Sequence, residues 1–267
     1  MPAYSKLRRN LDAVLPPGIV TSRALLVRSG FRRSSIDNVL KSGQLVSLWP
    51  GIYGRPGFHV SRAGLVSSLQ RMGSNLVLGG VSALERHGRN YYIPLSSERL
   101  VNLYGQDALP PWVPKLGRPH HFHKHGTGWL FRDERPTDGD AFGMRPPFVM
   151  QYTWKGWPVR VSMVERAMLE VLHGVSSWGS FDDAEHLMQG MPDLHPTRLR
   201  RLLSHTRSVK VKRLLSWLAD RVGHPWTKQV RADDFDLGIG KRSLARLGKL
   251  VSRFGITVPP YLYGPEF

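Results

Sequence analysis

Hydrophobic residues recur at helical spacing three times near the start of the chain. This pattern predicts helices over residues 5–14, over residues 21–28 with Thr21 as the N-cap, and from Ser34 or Ser35 to residue 43. Pro16-Pro17-Gly18 ends the first of these helices. Two apolar strands, residues 45–49 and 52–53, then flank Pro50-Gly51. Three short helices followed by a hairpin predict a winged helix-turn-helix.

After residue 60, short helices and strands follow one another without regular alternation. Apolar and β-branched runs predict strands at residues 76–78, 100–104, 121–122, 148–154 and 159–161. This order favours an α+β fold class over a doubly wound sheet. We therefore predict a winged helix-turn-helix at residues 1–60 and a mixed α/β domain at residues 61–267, which divides into a sheet-containing part, 61–194, and a helical part, 195–267.

Several helix starts in this second domain carry recognisable capping signals. Ser162-Met163-Val164-Glu165 has the spacing of a capping box, and Ser180 is expected to cap a helix whose first turn holds Asp182 and Asp183. Pro196 suits the first position of the next helix, and Ser208 is expected to start the one after it. These signals are structural and carry no functional assignment.

Charge changes the picture, because the chain has a formal net charge of +18. Residues 1–62 hold ten Lys or Arg against two Asp or Glu, and residues 198–253 hold fifteen against four. Residues 63–197 hold thirteen of each sign. Two basic blocks thus flank a neutral middle, whereas a merely solubilising surface usually intersperses both signs. Nucleic acid is the first partner that this distribution indicates.

Other compositional facts exclude whole classes of protein. The absence of cysteine excludes disulfide scaffolds, iron–sulfur clusters, thiol catalysis and Cys-ligated zinc. The first residues lack the apolar core of a signal peptide, and no stretch approaches the roughly 18 apolar residues that would span a bilayer. We expect a cytoplasmic protein without a membrane partner.

The third predicted helix is the candidate DNA reader. In a winged helix the polar residues at the start of this helix meet base edges in the major groove. Arg can bind guanine and Asn can bind adenine through bidentate pairs, so a basic helix of this kind predicts DNA binding over a role in protein contact. Asp37 would be repelled by phosphate unless it accepts from cytosine or pairs with a neighbouring Arg. The candidate DNA-binding residues are Arg32, Arg33, Ser34, Ser35, Asn38, Lys41 and, beyond the hairpin, Arg55.

The second basic block has less specific chemistry. Its two adjacent helices could bind an RNA or DNA backbone, could bind an acidic partner, or could simply expose basic faces to solvent. The candidate residues of this basic surface are Arg198, Arg201, Lys210, Lys212, Arg213, Lys241 and Arg242.

Three apparent enzymatic or metal motifs fail on inspection. His121, His123 and His125 would share one face of a strand, but Lys124 and the surrounding positive charge disfavour a cation. Gly238-Ile239-Gly240-Lys241-Arg242 lacks both the first glycine and the magnesium-binding Ser or Thr of a phosphate-binding loop. The acidic residues after Ser180 are explained by the helix dipole. We therefore predict no catalytic residue, no metal and no cofactor.

The chain also resembles the AbiEi family, antitoxins of type IV toxin–antitoxin (abortive infection, phage defence) systems. The resemblance keeps its order over nearly the whole chain, with Gln44, Tyr91 and Ile239 departing from the usual pattern. It rests on Ser42-Gly43, Gly51-Ile52-Tyr53-Gly54-Arg55-Pro56-Gly57, Gly79-Gly80-Val81-Ser82-Ala83-Leu84-Glu85 with Gly88, Glu165-Arg166-Ala167, Ser208-Val209-Lys210-Val211-Lys212-Arg213-Leu214, Asp236-Leu237-Gly238 with Gly240-Lys241-Arg242, and Ile256-Thr257-Val258-Pro259.

The resemblance implies a winged helix that binds inverted repeats in its own promoter and represses it. It further implies a carboxy-terminal domain that counters a nucleotidyltransferase-like toxin without a stable complex, and no enzymatic activity. The basic surface would then serve antitoxicity, through RNA that the toxin modifies. Two alternatives remain open on the residues alone: a nucleic-acid-processing enzyme, and a stand-alone winged-helix transcription factor without a toxin.

Overall fold

The computed structural model describes residues 11–89, 100–117, 122–130 and 148–263. The described residues fall into two compact units that each combine distant parts of the chain. Unit 1 draws on Met1–Leu78, Glu98–His125 and Gln151–Arg160, and unit 2 on Gly79–Ser97, Gly126–Met150 and Val161–Phe267. Helices and strands mix in irregular order, as the predicted α+β class requires.

Unit 1 begins with the predicted winged helix-turn-helix. Residues 11–14 are helical, at the end of the first predicted helix, whose earlier residues lie outside the described part. The next elements are β1 (Val20–Ser22), α1 (Arg23–Arg28), α2 (Arg33–Lys41), β2 (Val46–Trp49) and β3 (Ile52–Gly54). Strand β1 pairs antiparallel with β3, and β3 pairs antiparallel with β2, so the sheet order is β1-β3-β2.

Two helix starts in this domain differ from the sequence prediction. Thr21 does not cap α1, because it lies in β1 opposite Tyr53; the cap is Ser22, whose hydroxyl accepts the N–H of Leu25 at 3.2 Å. Helix α2 begins at Arg33 after Arg32, which makes no side-chain cap, so the expectation that Ser34 or Ser35 caps it is wrong.

The winged helix has its own apolar core. Its buried side chains come from the amino-terminal helical turn, from α1, α2 and β3 and from the segments between the elements, and Trp157 packs against the same cluster. Burial of such side chains contributes about 1.5–3 kcal/mol each, and this is what holds short elements in place. The core members are Leu11, Leu15, Ile19, Leu26, Phe31, Ile36, Val39, Leu45 and Tyr53.

Helix α3 (Arg62–Arg71) packs directly on the winged helix. Ser61 caps it by accepting the N–H of Gly64, and Ser68 accepts the N–H of Val20 at 2.9 Å. Gly64 permits the close approach, because a Cβ there would lie 2.1 Å from the carbonyl oxygen of Gly18. The predicted domain boundary after residue 60 therefore falls inside unit 1, and it stays a prediction.

A five-stranded sheet of order β6-β5-β4-β8-β7 is formed mostly by residues of unit 1. In this sheet β4 pairs antiparallel with β5, and β5 pairs parallel with the edge strand β6. Gln70 of α3 ties the sheet to the helix through the carbonyls of Leu76 and Arg160. The elements are β4 (Val77–Leu78), β5 (Val101–Tyr104), α5 (Trp112–Gly117), β6 (Phe122–His125), β7 (Val149–Trp154) and β8 (Trp157–Ser162). Helix α4 (Gly80–Arg86), which follows β4 in the chain, belongs to unit 2.

Unit 2 is organised around helix α6 (Val164–Gly174), which is buried along most of its length. Arg166 and Glu170 form a fully buried ion pair, with Nε 2.8 Å from Oε1. Glu170 also accepts the N–H of Gly80 at 2.7 Å and the hydroxyl of Ser162 at 3.0 Å. The predicted capping box is therefore wrong: Ser162 ends β8 and bonds Glu170, while Glu165 accepts the N–H of His195.

Three helices and a hairpin complete unit 2. Ser180 and Ser208 cap their helices as predicted, accepting the N–H groups of Asp183 and Val211, and Pro196 occupies the first turn of its helix as predicted. The elements are α7 (Phe181–Gln189), α8 (Pro196–His205), α9 (Val209–Val222), and the antiparallel pair β9 (Lys249–Val251) and β10 (Ile256–Val258), with 3-10 turns at Pro225–Gln229, Ala232–Asp234 and Pro260–Leu262.

Candidate nucleic-acid interface

Helix α2 presents an exposed cationic face at its amino-terminal end. Ile36 and Val39 anchor the opposite face in the winged-helix core, which fixes the rotation of the helix. Arg32 and Arg33 are exposed at its start and Lys41 at its end. Within the described residues, none of these three side chains forms an ion pair. Asn38 and Ser34 are also exposed, and Ser35 is half-buried.

Asp37, the acidic residue of helix α2, forms an ion pair with an arginine of the same domain. Arg23 of α1 donates to Asp37 at 2.7 Å, so that Asp37 pairs with a neighbouring Arg, one of the two arrangements that would let it tolerate phosphate. The pKa of Arg23 is raised above its usual value by hydrogen bonds to Tyr53 and Asp37. The pair also joins α1 to α2 and so helps to fix the helix-turn-helix angle.

Arg55 lies directly past the hairpin, as its sequence position indicates, but its side chain is paired within the winged helix. Its guanidinium donates to Asp12 at 2.6 Å and to the carbonyl of Gln44 at 3.4 Å, and only 12% of its side chain is exposed. These contacts connect the end of β3 to the amino-terminal helical turn. Arg55 is a structural tie within the winged helix, since contact with DNA would require it to leave Asp12.

Two residues of the predicted basic surface are bound at the two ends of helix α6. Arg198 lies 3.7 Å from the carboxylate of Glu165 in the first turn. Lys210 donates to the carbonyl of His173 at 2.7 Å and to that of Val175. A cation at a helix carboxyl end satisfies terminal carbonyls and complements the helix dipole. Burial lowers the pKa of Lys210, and its ammonium is turned into the fold.

Arg213 is buried, so its assignment to a basic surface is wrong. Only 3% of the residue is exposed, and its guanidinium donates to a ring of backbone carbonyls. Because a buried guanidinium needs partners for its five N–H groups, this position is structural. The acceptors are the carbonyls of Leu237 at 2.7 Å, Gly240 at 2.6 Å, Gly255 at 2.9 Å and Gly238 at 3.0 Å.

The carbonyls that surround Arg213 belong mostly to one segment, which we name the glycine loop (residues 237–242). Gly238 has φ +64°, a conformation that favours glycine. Lys241 and Arg242 are exposed in this loop, and Lys212 reaches the neighbouring carbonyl of Asp236 at 3.3 Å. Lys212, Lys241 and Arg242 are thus brought to the same loop.

Arg201 remains exposed on α8. Its guanidinium carbon lies 5.7 Å from the ring centroid of Phe148, in a cation–π contact.

The histidine segment has a structural role in the part of the chain that is described. His121 lies outside the described residues. His125 donates its Nε2–H to the side-chain oxygen of Asn102 at 3.0 Å and stacks on Tyr104, with ring centroids 4.6 Å apart. Burial, with the charges of His123 and Lys124, lowers the pKa of His125 to about 4. Among the described residues, no group of three or more His, Asp or Glu could hold a metal ion.

The acidic residues after Ser180 are held by structural contacts. Asp182 accepts the hydroxyl of Tyr261 at 2.7 Å, and Glu185 accepts from Arg221 at 2.7 Å. Both contacts connect α7 to later parts of unit 2. They give these carboxylates partners within the fold, in agreement with the structural interpretation of the sequence.

Comparison with known proteins places this geometry in a family. A winged helix with an exposed basic recognition helix is the fold of a DNA-binding transcriptional regulator. Residues 4–95 match the model of the AbiEi antitoxin N-terminal domain, a transcriptional regulator, and residues 98–259 match the model of the AbiEi antitoxin transcriptional regulator of type IV toxin–antitoxin systems. The chain belongs to the AbiEi antitoxin family, and the resemblance found in its sequence is confirmed.

A solved structure supports the fold independently. The chain is similar to the Rv2827c protein from Mycobacterium tuberculosis, with a TM-score of 0.52 and 18% sequence identity, over 96% of this chain and 91% of that one. At this identity the similarity shows the fold alone. No curated protein matches the sequence. Among the described residues, no helix is both long and apolar enough to cross a membrane.

Proposed function

We propose that this regulator represses its own promoter by binding inverted repeats through helix α2. The observation that carries the proposal is the pair Arg32 and Arg33, which is exposed at the start of the recognition helix and lacks an acidic partner within the described residues. The Arg23–Asp37 pair removes the one carboxylate on this helix from competition with phosphate. Arginine at this position of a winged helix can bind guanine through two hydrogen bonds.

We further propose that the protein is a non-enzymatic antitoxin against a nucleotidyltransferase-like toxin. The cationic residues that support this role are exposed ones of unit 2, chiefly Lys241, Arg242 and Arg201. Arg198, Lys210 and Arg213 contribute by holding the fold, since their side chains contact protein groups. The reading frame beside the gene is expected to encode the toxin.

Operator binding is tested by titrating duplex promoter DNA with the full chain. Arg33→Ala is expected to weaken binding by about 1–3 kcal/mol, which is roughly 5- to 150-fold, and to relax preference at one base position. Arg28→Ala is the matched control, since Arg28 is an exposed arginine at the end of α1. An equal loss for both variants, uniform across DNA sequences, would assign Arg33 to phosphate contact and contradict base recognition.

Antitoxicity is tested by growth of cells that express the toxin. The charge-reversed variant K241E/R242E is expected to lose rescue while retaining operator binding. Retained rescue would contradict the role of this surface.

A further inference from the structure

The glycine loop turns its carbonyls toward Arg213 and its amides in the opposite direction. The carbonyls of Gly238 and Gly240 accept from the buried guanidinium at 3.0 Å and 2.6 Å. A trans peptide group points its carbonyl and the following N–H in opposite directions, and the described residues contain no cis peptide. The N–H groups of Ile239 and Lys241 therefore point away from Arg213, toward the exposed side of the loop.

The loop also concentrates positive charge. Lys241 and Arg242 are exposed on it, and Arg213 lies beneath it. Burial and the charge of Arg242 both lower the pKa of Arg213, so the two guanidiniums are close enough to repel one another. Asp236, which directly precedes the loop, accepts the N–H of Gly238 at 2.7 Å. An anion on the exposed side would relieve this repulsion and satisfy outward amides.

Ile239 is fully exposed at the tip of the loop. It stands between Gly238 and Gly240, and the cations Lys241 and Arg242 follow directly in the chain. The combination of a hydrophobic tip, outward amides and adjacent cations matches the two chemical faces of an unpaired nucleotide, which are the phosphate and the flat apolar surface of the base.

We propose that the glycine loop is a second nucleic-acid site, distinct from helix α2, that binds a single strand. The N–H groups of Ile239 and Lys241 and the side chains of Lys241 and Arg242 bind the phosphodiester, while Ile239 contacts an unpaired base. Arg213 acts as a positioning residue, because its hydrogen bonds to the loop carbonyls fix the conformation of the loop while its own side chain does not contact the ligand. The inference rests on the proposed antitoxin surface and gives it a ligand class, single-stranded RNA or DNA.

The test measures anisotropy of labelled oligouridine and oligothymidine of about 20 nucleotides with the full chain. K241E/R242E is expected to weaken binding at least about tenfold and to reduce the salt slope by roughly 1.4, since each phosphate contact on a single strand contributes about 0.7. Ile239→Ser is expected to weaken binding about fivefold while leaving the salt slope unchanged. A preference for oligouridine would identify RNA as the ligand. Equal binding would show that the site recognises the phosphodiester and the base, which RNA and DNA share.

The matched control is K115E/K228E, which makes the same change in net charge at two exposed lysines elsewhere. Equal weakening by both double variants would show that binding depends only on the net charge of the protein, and it would overturn the site. Weakening confined to duplex promoter DNA would also overturn it, by assigning the loop to the operator.

Toxin rescue separates this inference from the proposed function. Lost rescue with unchanged oligonucleotide binding overturns the single-strand site and leaves the antitoxin surface standing. Lost oligonucleotide binding with full rescue supports the site and overturns its antitoxin role.

Discussion

Replacing Arg213 with methionine tests whether a single buried guanidinium holds the glycine loop. Methionine replaces the apolar stem of the arginine side chain but removes the donors to four carbonyls. A hydrogen bond to a charged group contributes about 1.5–3 kcal/mol. The carbonyls of Gly238 and Gly240 belong to exposed residues and can be rehydrated, and loss of the buried charge removes a desolvation cost. We therefore expect a net loss of about 3 kcal/mol.

Urea unfolding gives the global loss, and amide hydrogen exchange shows where it arises. Exchange at residues 237–242 should accelerate at least about tenfold in Arg213→Met. In this variant the loop can open without breaking hydrogen bonds to the guanidinium, so local opening costs less free energy. Arg200→Met is the control, since its largely exposed ion pair with Asp234 at 3.8 Å should contribute less than about 1 kcal/mol. An Arg213→Met protein as stable as the control, with unchanged exchange in the loop, would refute the reasoning.

Three further predictions concern the rest of the fold. Glu170→Gln should lower the free energy of unfolding by about 3–5 kcal/mol in urea titrations, because Arg166 stays buried without its counter-charge. The double variant R166M/E170L should recover part of this loss, because it removes both buried charges. No recovery would show that the loss does not come from the unpaired charge. Gly64→Ala should reduce the melting temperature sharply, because its Cβ meets the Gly18 carbonyl at 2.1 Å, whereas Gly126→Ala meets nothing within 4 Å and should not. The folded pKa of His125, about 4, lies below its usual value, so protonation favours the unfolded state and stability should fall between pH 6.5 and 4. His125→Gln should flatten that dependence in melting curves; an unchanged slope would contradict the shift.

Local pattern was sufficient to predict the recognition helix. Ile36 and Val39 lie three residues apart, which is helical spacing, and the residues between them are polar. The buried and exposed faces of α2 therefore follow from the sequence. Strand β1 could not be predicted in the same way. It is three residues long, and its strand character comes from pairing with β3, about thirty residues later.

The site residues show the same division between local and long-range causes. Arg32 and Arg33 are exposed because the helix around them fixes their direction. Arg213 stands among basic neighbours on a helix that the sequence describes as amphipathic, yet its surroundings are built by carbonyls from 24 to 42 positions later. Ser162 and Glu165 have the spacing of a capping box, but each finds a stronger partner in Glu170 and His195.

We expect DNA recognition and antitoxicity to belong to two separate surfaces of the protein. This expectation is tested most directly by one experiment in cells that carry both the toxin gene and a reporter fused to the promoter. R32A/R33A is expected to derepress the reporter and still rescue growth, while K241E/R242E is expected to repress the reporter and fail to rescue. Loss of both activities in each of the two folded variants would show that the two functions share one surface.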